Sequence, residues 1–284
     1  MTIRRINLSP YLLALPGAAW LAVFFLLPIS RQVVTSLSEG SIDDGGMNFT
    51  WHWQNYLDAA QQFAPWFIRS FEYAAIGTVL AILIGYPLAY FIVFRGGKYR
   101  TILLFPVIVP FLITYLVRTI SWQALLADDG IILGTMKHLG MLPDGAYVLG
   151  TTTAVVFALA YNFLPFAVLP IYVSLDRIDP ALLRAAADLY ANPLTTFRRI
   201  VLPLSLPGVF AGSILTFIPA AGDFVNAMML GSPQRQMIGN VIQSRYLVTL
   251  DYPLAAAASL ALMFLMIVAV TLYAKLFGTE GLTG

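Results

Sequence analysis

Cysteine is absent from this 284-residue chain, which excludes disulfides, thiolate metal sites and a thiol nucleophile together. Histidine occurs twice, and His52 and His138 stand alone, without a partner spacing such as H-E-x-x-H, so metalloprotease chemistry has no support and no metal site is expected. No G-x4-G-K-[ST] stretch is present, so this chain does not itself cradle nucleotide phosphates in that manner. Charge is scarce too. Asp, Glu, Lys and Arg make up 11%, where soluble proteins carry about a quarter, and a net charge of +2 with no basic block gives no reason to expect a nucleic-acid partner.

Apolar residues fill the space that charge leaves: 59% of the chain is hydrophobic and the mean hydropathy is +0.80. Runs near the ~20 residues that a bilayer core requires lie at about 11–34, 70–94, 101–121, 151–175, 204–230 and 254–277. The pattern predicts an all-α membrane protein of six transmembrane helices, in one domain over 1–284. Arg4 and Arg5 precede the first run, but its length and the lack of a small-x-small cleavage site after it suit an uncleaved anchor. Asn48-Phe49-Thr50 fits a glycosylation acceptor by pattern alone, and Gly278-x-x-Gly281-x-x-Gly284 reads as a flexible tail.

Orientation follows from the basic residues. With the N-terminus inside, ten of the sixteen (Arg4, Arg5, Arg95, Lys98, Arg100, Arg177, Arg184, Arg198, Arg199 and Lys275) fall on the cytoplasmic side, as the positive-inside rule asks. Glu39, Asp43, Asp44, Asp58, Asp128 and Asp129 then face outward. Among the outer loops, 37–66 carries Gly45-Gly46 and the aromatics Trp51, Trp53, Tyr56 and Trp66, which suit a short interfacial helix. Residues 122–150 and 231–253 hold short helices around Gly134–Leu139 and Ile238–Leu247. Such loops suit a platform for an extracytoplasmic partner and equally suit plain connectors.

Ionisable groups inside the apolar runs mark function by default. Asp223 stands seventeen residues beyond Leu206, about 26 Å up the fifth run at 1.5 Å per residue. Arg118 has a similar count in the third run, and Glu72 lies near the outer start of the second, with Tyr115, Trp122 and Phe224 at comparable depth. One reading has these groups snorkelling to the headgroups, or Arg118 pairing with an acid between helices. The other has Asp223 facing a water-filled path and meeting a cationic substrate, with aromatic faces adding cation–π attraction; Pro219 and Gly222 loosen the helix there. Tyr161 and Asn162 lie about 16 Å below the outer end of the fourth run, either on that path or as a helix-to-helix hydrogen bond.

The segment 176–203 is charged and helix-forming between two apolar runs. Asp179-Pro180 and Asn192-Pro193 are both helix starts, so two short helices, roughly 180–191 and 193–202, are expected to meet in an elbow. Their apolar faces read as Leu182, Leu183, Ala186, Leu189 and Tyr190, then Leu194, Phe197, Ile200 and Val201.

This elbow resembles the cytoplasmic coupling motif of ABC importer permeases, Glu-Ala-Ala-x3-Gly-x9-Ile-x-Leu-Pro. Aligned on Ile200, Leu202 and Pro203, the chain supplies Ala185 and Ala186, with Arg184 where the family has Glu and Tyr190 where it has Gly. LPFAVLPIYVSLDRID (164–179), ADLYANPLTTFRRIVLPLSLPG (187–208) and MIGNVIQSRYL (237–247) are similar to the permease subunits of spermidine/putrescine importers. The resemblance implies the type I ABC importer permease fold in a bacterial inner membrane, both termini cytoplasmic. It implies a complex with a second permease subunit, two ATPase subunits that bind ATP and Mg, and an extracytoplasmic binding protein. The function so implied is gating rather than catalysis, with Arg184, Ala185, Ala186, Ala187, Asp188, Tyr190, Ala191, Asn192, Pro193, Ile200, Leu202 and Pro203 coupling to the ATPase. Asp223, Tyr161, Asn162, Glu72, Tyr115 and Trp122 are the candidates for the substrate path. The elbow is indifferent to cargo, so an opine, amino acid, ferric or oxyanion solute is the alternative to a polyamine. A secondary transporter would favour inverted repeats and buried charge relays, and a membrane enzyme would need a nucleophile–base or metal constellation; the sequence shows neither.

Overall fold

The computed structural model describes residues 9–40, 46–143 and 145–277, for 9–12 by backbone alone. Arg4, Arg5, Asp43, Asp44, Gly45 and the tail from Gly278 lie outside the described residues, as do the expectations placed on them. In chain order come helix α1 (9–36), a hairpin of β1 (Ser38–Glu39) and β2 (Asn48–Phe49), α2 (Gln54–Arg95), α3 (Gly97–Leu112), α4 (Tyr115–Leu125), α5 (Ile131–His138), α6 (Thr152–Asp176), α7 (Pro180–Asp188), α8 (Pro193–Ala221), α9 (Val225–Leu230), α10 (Ile238–Leu247) and α11 (Tyr252–Phe277). Five helices are long and apolar enough to span a membrane, and the bent pair α3–α4 supplies a sixth span.

The chain divides into two compact units. The first holds the described residues up to Ala64 together with Ile242–Phe264. In it the Leu37 carbonyl accepts from the Thr50 and His52 amides at 3.3 and 2.9 Å, and the Asn55 side chain donates to the Ser36 and Ser38 carbonyls at 2.9 and 3.0 Å. His52 pairs with Glu39. The expected separate aromatic helix does not form: Trp51 and Trp53 leave the hairpin, and Tyr56 already belongs to α2, which runs 42 residues without interruption. No glycine or capping residue between Trp66 and Ser70 stops it.

The second unit, Pro65–Val241 with the described residues from Leu265, is built around α6. This helix is apolar nearly all round and is buried accordingly. Near its start Val155, Leu159 and Phe163 pack with Tyr73, Ala220 and Ala221; near its end Ile171 and Leu175 pack with Ile92, Val107 and Val201. Helix α8 lies close against it because Gly208 and Gly212 present no side chain. A Cβ on Gly208 would lie 2.5 Å from the Pro170 carbonyl oxygen, and one on Gly212 would lie 3.0 Å from that of Ala167. This is the small-xxx-small packing of membrane helices.

Two spans differ from the sequence expectation. The third turns through 95° between α3 and α4, because Ile113 and Thr114 are extended (ψ 139° and 142°) just after Pro106 and Pro110. A height for Arg118 counted along one straight helix is therefore wrong. The fifth begins earlier and ends earlier than 204–230: α8 runs unbroken from Pro193 to Ala221, so the second elbow helix is the foot of a span. A π-helical turn at Phe197–Val201, where the Leu202 amide reaches back to the Phe197 carbonyl, accommodates Pro203, which has no N–H to offer an ordinary helical bond.

Candidate functional site

The two broken spans meet against α6, and each break contributes polar side chains there. Asp223 lies in the turn after α8 and caps α9: its Oδ1 accepts the Asn226 amide at 2.9 Å. Its Oδ2 accepts the Tyr115 hydroxyl. The same phenol oxygen accepts Asn226 Nδ2 at 2.6 Å, while Asn226 Oδ1 accepts Thr119 Oγ1 at 3.2 Å and Asn162 Nδ2 at 3.1 Å. Arg118 Nη1 donates to the Asn162 carbonyl at 3.3 Å, and its guanidinium lies 5.8 Å from the Phe111 ring centroid and 5.5 Å from that of Tyr115. Arg118, Thr119, Asn162, Asp223 and Asn226 are all buried.

Tyr115, Asn162 and Asp223 are thus brought together, and Trp122 and Tyr161 stack edge-on beside them at 5.2 Å. Glu72 is exposed on α2 and makes none of these contacts. Arg118 pairs with no carboxylate among the described residues, so the acid-to-arginine tie between helices is not what holds it. Asp223 and Asn162, expected at different depths, share a partner. Asn162 lies ten residues into α6, about 15 Å from the start of that helix, which places the cluster well inside the span. Asn226 and Thr119, the cluster's hub and one of its spokes, escaped the sequence reading. The available signal was Asn226 three residues after Asp223, the spacing of a capped turn. Chemically the cluster offers one carboxylate, closed onto a tyrosine, among amide and hydroxyl groups and aromatic faces, with the Arg118 guanidinium over the Tyr115 ring. Among the described residues no group of three His, Asp or Glu side chains is placed to hold a metal.

At the other end of α6 and α8 lies the elbow. Asp179 accepts the Ala181 amide at 2.8 Å and Asn192 that of Thr195 at 2.7 Å, each ahead of a proline at the first helical position. Helix α7 stops at Asp188, three residues short of the expected end. The Ala191 amide reaches the Ala186 carbonyl at 3.0 Å and the Tyr190 amide that of Ala187 at 2.9 Å, a Schellman closure with Tyr190 left-handed at φ 54°. The glycine of the coupling motif therefore falls at a left-handed helix end, where glycine carries no Cβ penalty; here a tyrosine holds the same conformation. Leu189 and Tyr190 do not belong to the inward face: Tyr190 is 98% exposed and Leu189 81%, because the helix has ended and the chain turns outward. Ala186 is buried, Leu183 and Ala191 are half-buried, and Arg184, Ala185, Ala187, Asp188, Asn192 and Pro193 are exposed. Further on, Ile200 and Leu202 are half-buried and Pro203 is exposed. Phe197 anchors the elbow edge-on to Tyr86 and Tyr90, 5.9 Å from each, and Arg100 ties the base of α3 to Asp176 at 2.9 Å.

A family profile described as the binding-protein-dependent transport system inner membrane component matches residues 77–277. The chain is 34% identical over 259 residues to the spermidine/putrescine transport system permease protein PotB of Haemophilus influenzae, spanning 90% of this chain and 89% of that one. It is 35% identical over 249 residues to the Escherichia coli protein of the same name, spanning 87% and 90%. In fold it is similar to a chain of a bacterial alginate ABC transporter in complex with an alginate pentasaccharide-bound periplasmic protein, with TM-score 0.72 and 17% identity over 95% of this chain and 93% of that one.

Proposed function

This chain belongs to the family of binding-protein-dependent transport system inner membrane components, and from that premise we propose that it is the permease subunit of an ATP-driven importer that brings spermidine or putrescine into the cytoplasm by alternating access. The observation that carries the cargo is the identity to the PotB proteins, which extends over nearly the whole length of both chains. The buried Asp223 carboxylate with aromatic rings beside it is chemistry that suits a cation, while the neighbouring Arg118 guanidinium is held against Tyr115 and Asn162.

The working complex has a second permease subunit, two ATPases that bind ATP and Mg, and an extracytoplasmic binding protein, with both termini and the elbow on the cytoplasmic side. ATP-driven closure of the ATPases pushes the surface formed by Arg184, Ala187, Asp188 and Tyr190. The push passes through α6 and α8 to the cluster, where Asp223, Tyr115, Asn162, Tyr161 and Trp122 border the path and Glu72 stands further out. In the conformation described here Asp223 is closed onto Tyr115, so passage of a cation exchanges the phenol for an ammonium.

The test is ATP-dependent uptake by the four-component complex in proteoliposomes, offered spermidine, putrescine, an amino acid and an oxyanion in turn. Saturable uptake of the polyamines alone is the expected result. Uptake of another solute with none of either polyamine would overturn the cargo while leaving the permease role intact.

A further inference from the structure

Beneath the bend between α3 and α4 lies a cavity of about 250 Å³, lined by residues of α2, α3, α4 and α6. Its wall is aliphatic and aromatic (Leu88, Phe91, Leu103, Val107 and Leu164 among others), with Pro106, Pro110 and Pro165 contributing backbone that has no N–H to donate. Arg118 lines the same cavity. It is 7% exposed, its Nε has no hydrogen-bond partner, and no carboxylate among the described residues pairs with it. Both Asp223 oxygens are occupied by Tyr115 and Asn226. A buried cation without a counter-ion is expensive in a membrane, and here it borders an apolar cavity.

We propose that this cavity binds a single-chain aliphatic acid, the carboxylate on Arg118 and the chain along Leu103, Val107 and Leu164. An anion answers the unpaired guanidinium, and the proline-rich wall offers a chain nothing but apolar contact. Size argues for one chain: a methylene displaces about as much space as a water, whose share of liquid volume is roughly 30 Å³, so the cavity takes about eight. Depth argues against a glycerophospholipid. Arg118 is bonded to Asn162, about 15 Å from the start of α6, whereas a phosphate headgroup stays at the interface. A fatty acid crosses to that depth in its neutral form and ionises against the arginine, its proton leaving to water. The cavity shares Tyr161 with the path proposed above, but the inference rests on Arg118 and the apolar wall and not on which cargo is carried.

The chain carries its own reporter, since Trp122 stacks on Tyr161 at the cavity wall. The full complex, with Trp20, Trp51, Trp53 and Trp66 of this chain and the tryptophans of its partners replaced by Phe, is placed in phosphatidylcholine nanodiscs and titrated with 8-bromooctanoate, whose seven methylenes and bromine match the cavity. Quenching of Trp122 should saturate, with an apparent affinity at least about tenfold above that of the brominated alcohol or amine of equal length. Arg118→Gln should abolish that preference, and Leu164→Phe should weaken binding of all three by filling the cavity. Non-saturable quenching, equal affinity for acid and amine, or no effect of Leu164→Phe overturns the proposal. So does saturable quenching by a chain-brominated phosphatidylglycerol in place of the free acid. If Arg118→Gln fails to assemble, the acid-against-amine comparison and Leu164→Phe still decide, and none of these readouts requires transport.

Discussion

Asn226 is the side chain on which most of the buried polar groups converge, through its contacts to Tyr115, Thr119 and Asn162. Asn226→Ala leaves those groups short of a partner where water does not reach them, and should cost about 1–2 kcal/mol, read as a lower midpoint in thermal unfolding of the purified complex. Asp223→Asn is the gentler change, because its single amide oxygen still accepts from one of the two donors, Tyr115 or the Asn226 amide, and the shape is kept while the charge is lost. If an ammonium meets this side chain, KM for spermidine should rise about 5–30-fold, the equivalent of 1–2 kcal/mol, with ATPase assembly unaltered. An unchanged KM would take Asp223 out of the path. Its burial and its two hydrogen bonds make the residue structural as well, which no count of residues along the span revealed.

The elbow makes its own predictions at the scale of an element. Ala187 is exposed and Ala191 half-buried in the isolated chain, so a cysteine at either position should label with a water-soluble thiol reagent when this subunit is alone and become protected once the ATPase is bound. The absence of native cysteine removes background labelling from this chain. Equal labelling in both states would mean that the elbow is an ordinary cytosolic loop. Tyr190 carries two separable effects. Tyr190→Gly relieves a left-handed tyrosine and should stabilise α7's end by about 1 kcal/mol, while removing a ring that stands free for a partner; ATP hydrolysis should then proceed with less uptake per ATP. Tyr190→Asp should uncouple more fully, since a charge buried unpaired in the ATPase groove costs several kcal/mol. Uptake per ATP equal to wild type in both variants would remove the tyrosine from coupling.

For the molecule as a machine, the close pairing of α6 with α8 matters most. The elbow is strung between the end of one and the start of the other, so a push on it moves both only if they are packed as a pair. Gly208 makes that packing possible, with Pro170 and Ser174 2.5 Å from where its Cβ would be. Gly208→Val should therefore separate the two helices, at a cost of about 1–3 kcal/mol from overpacking, and should reduce uptake per ATP even where the complex still assembles. Gly212→Ala meets its neighbours at 3.0–3.5 Å and should be milder. At the same scale, docking of binding protein on the outer loops should raise the ATPase rate of the reconstituted complex, because a ligand shifts a conformational equilibrium only through differential affinity for its states. Identical hydrolysis with and without binding protein would contradict this.

Composition and run length determined the class of this protein, because a bilayer imposes a length and an apolarity that any spanning helix must show, and the elbow was legible because Asp179-Pro180 and Asn192-Pro193 are local capping signals that fold where they stand. The short helix over Ile238–Leu247 was local in the same sense and forms over that span. What lay beyond local rules was decided by tertiary packing. The 95° turn after Leu112 cannot be told from a straight span by prolines alone, since α2, α6 and α8 carry internal prolines too and continue through them. The gathering of Tyr115, Thr119, Asn162, Asp223 and Asn226 required two helices to break where their ends could meet a third, and residues more than a hundred positions apart become hydrogen-bond partners only when the chain has folded around α6.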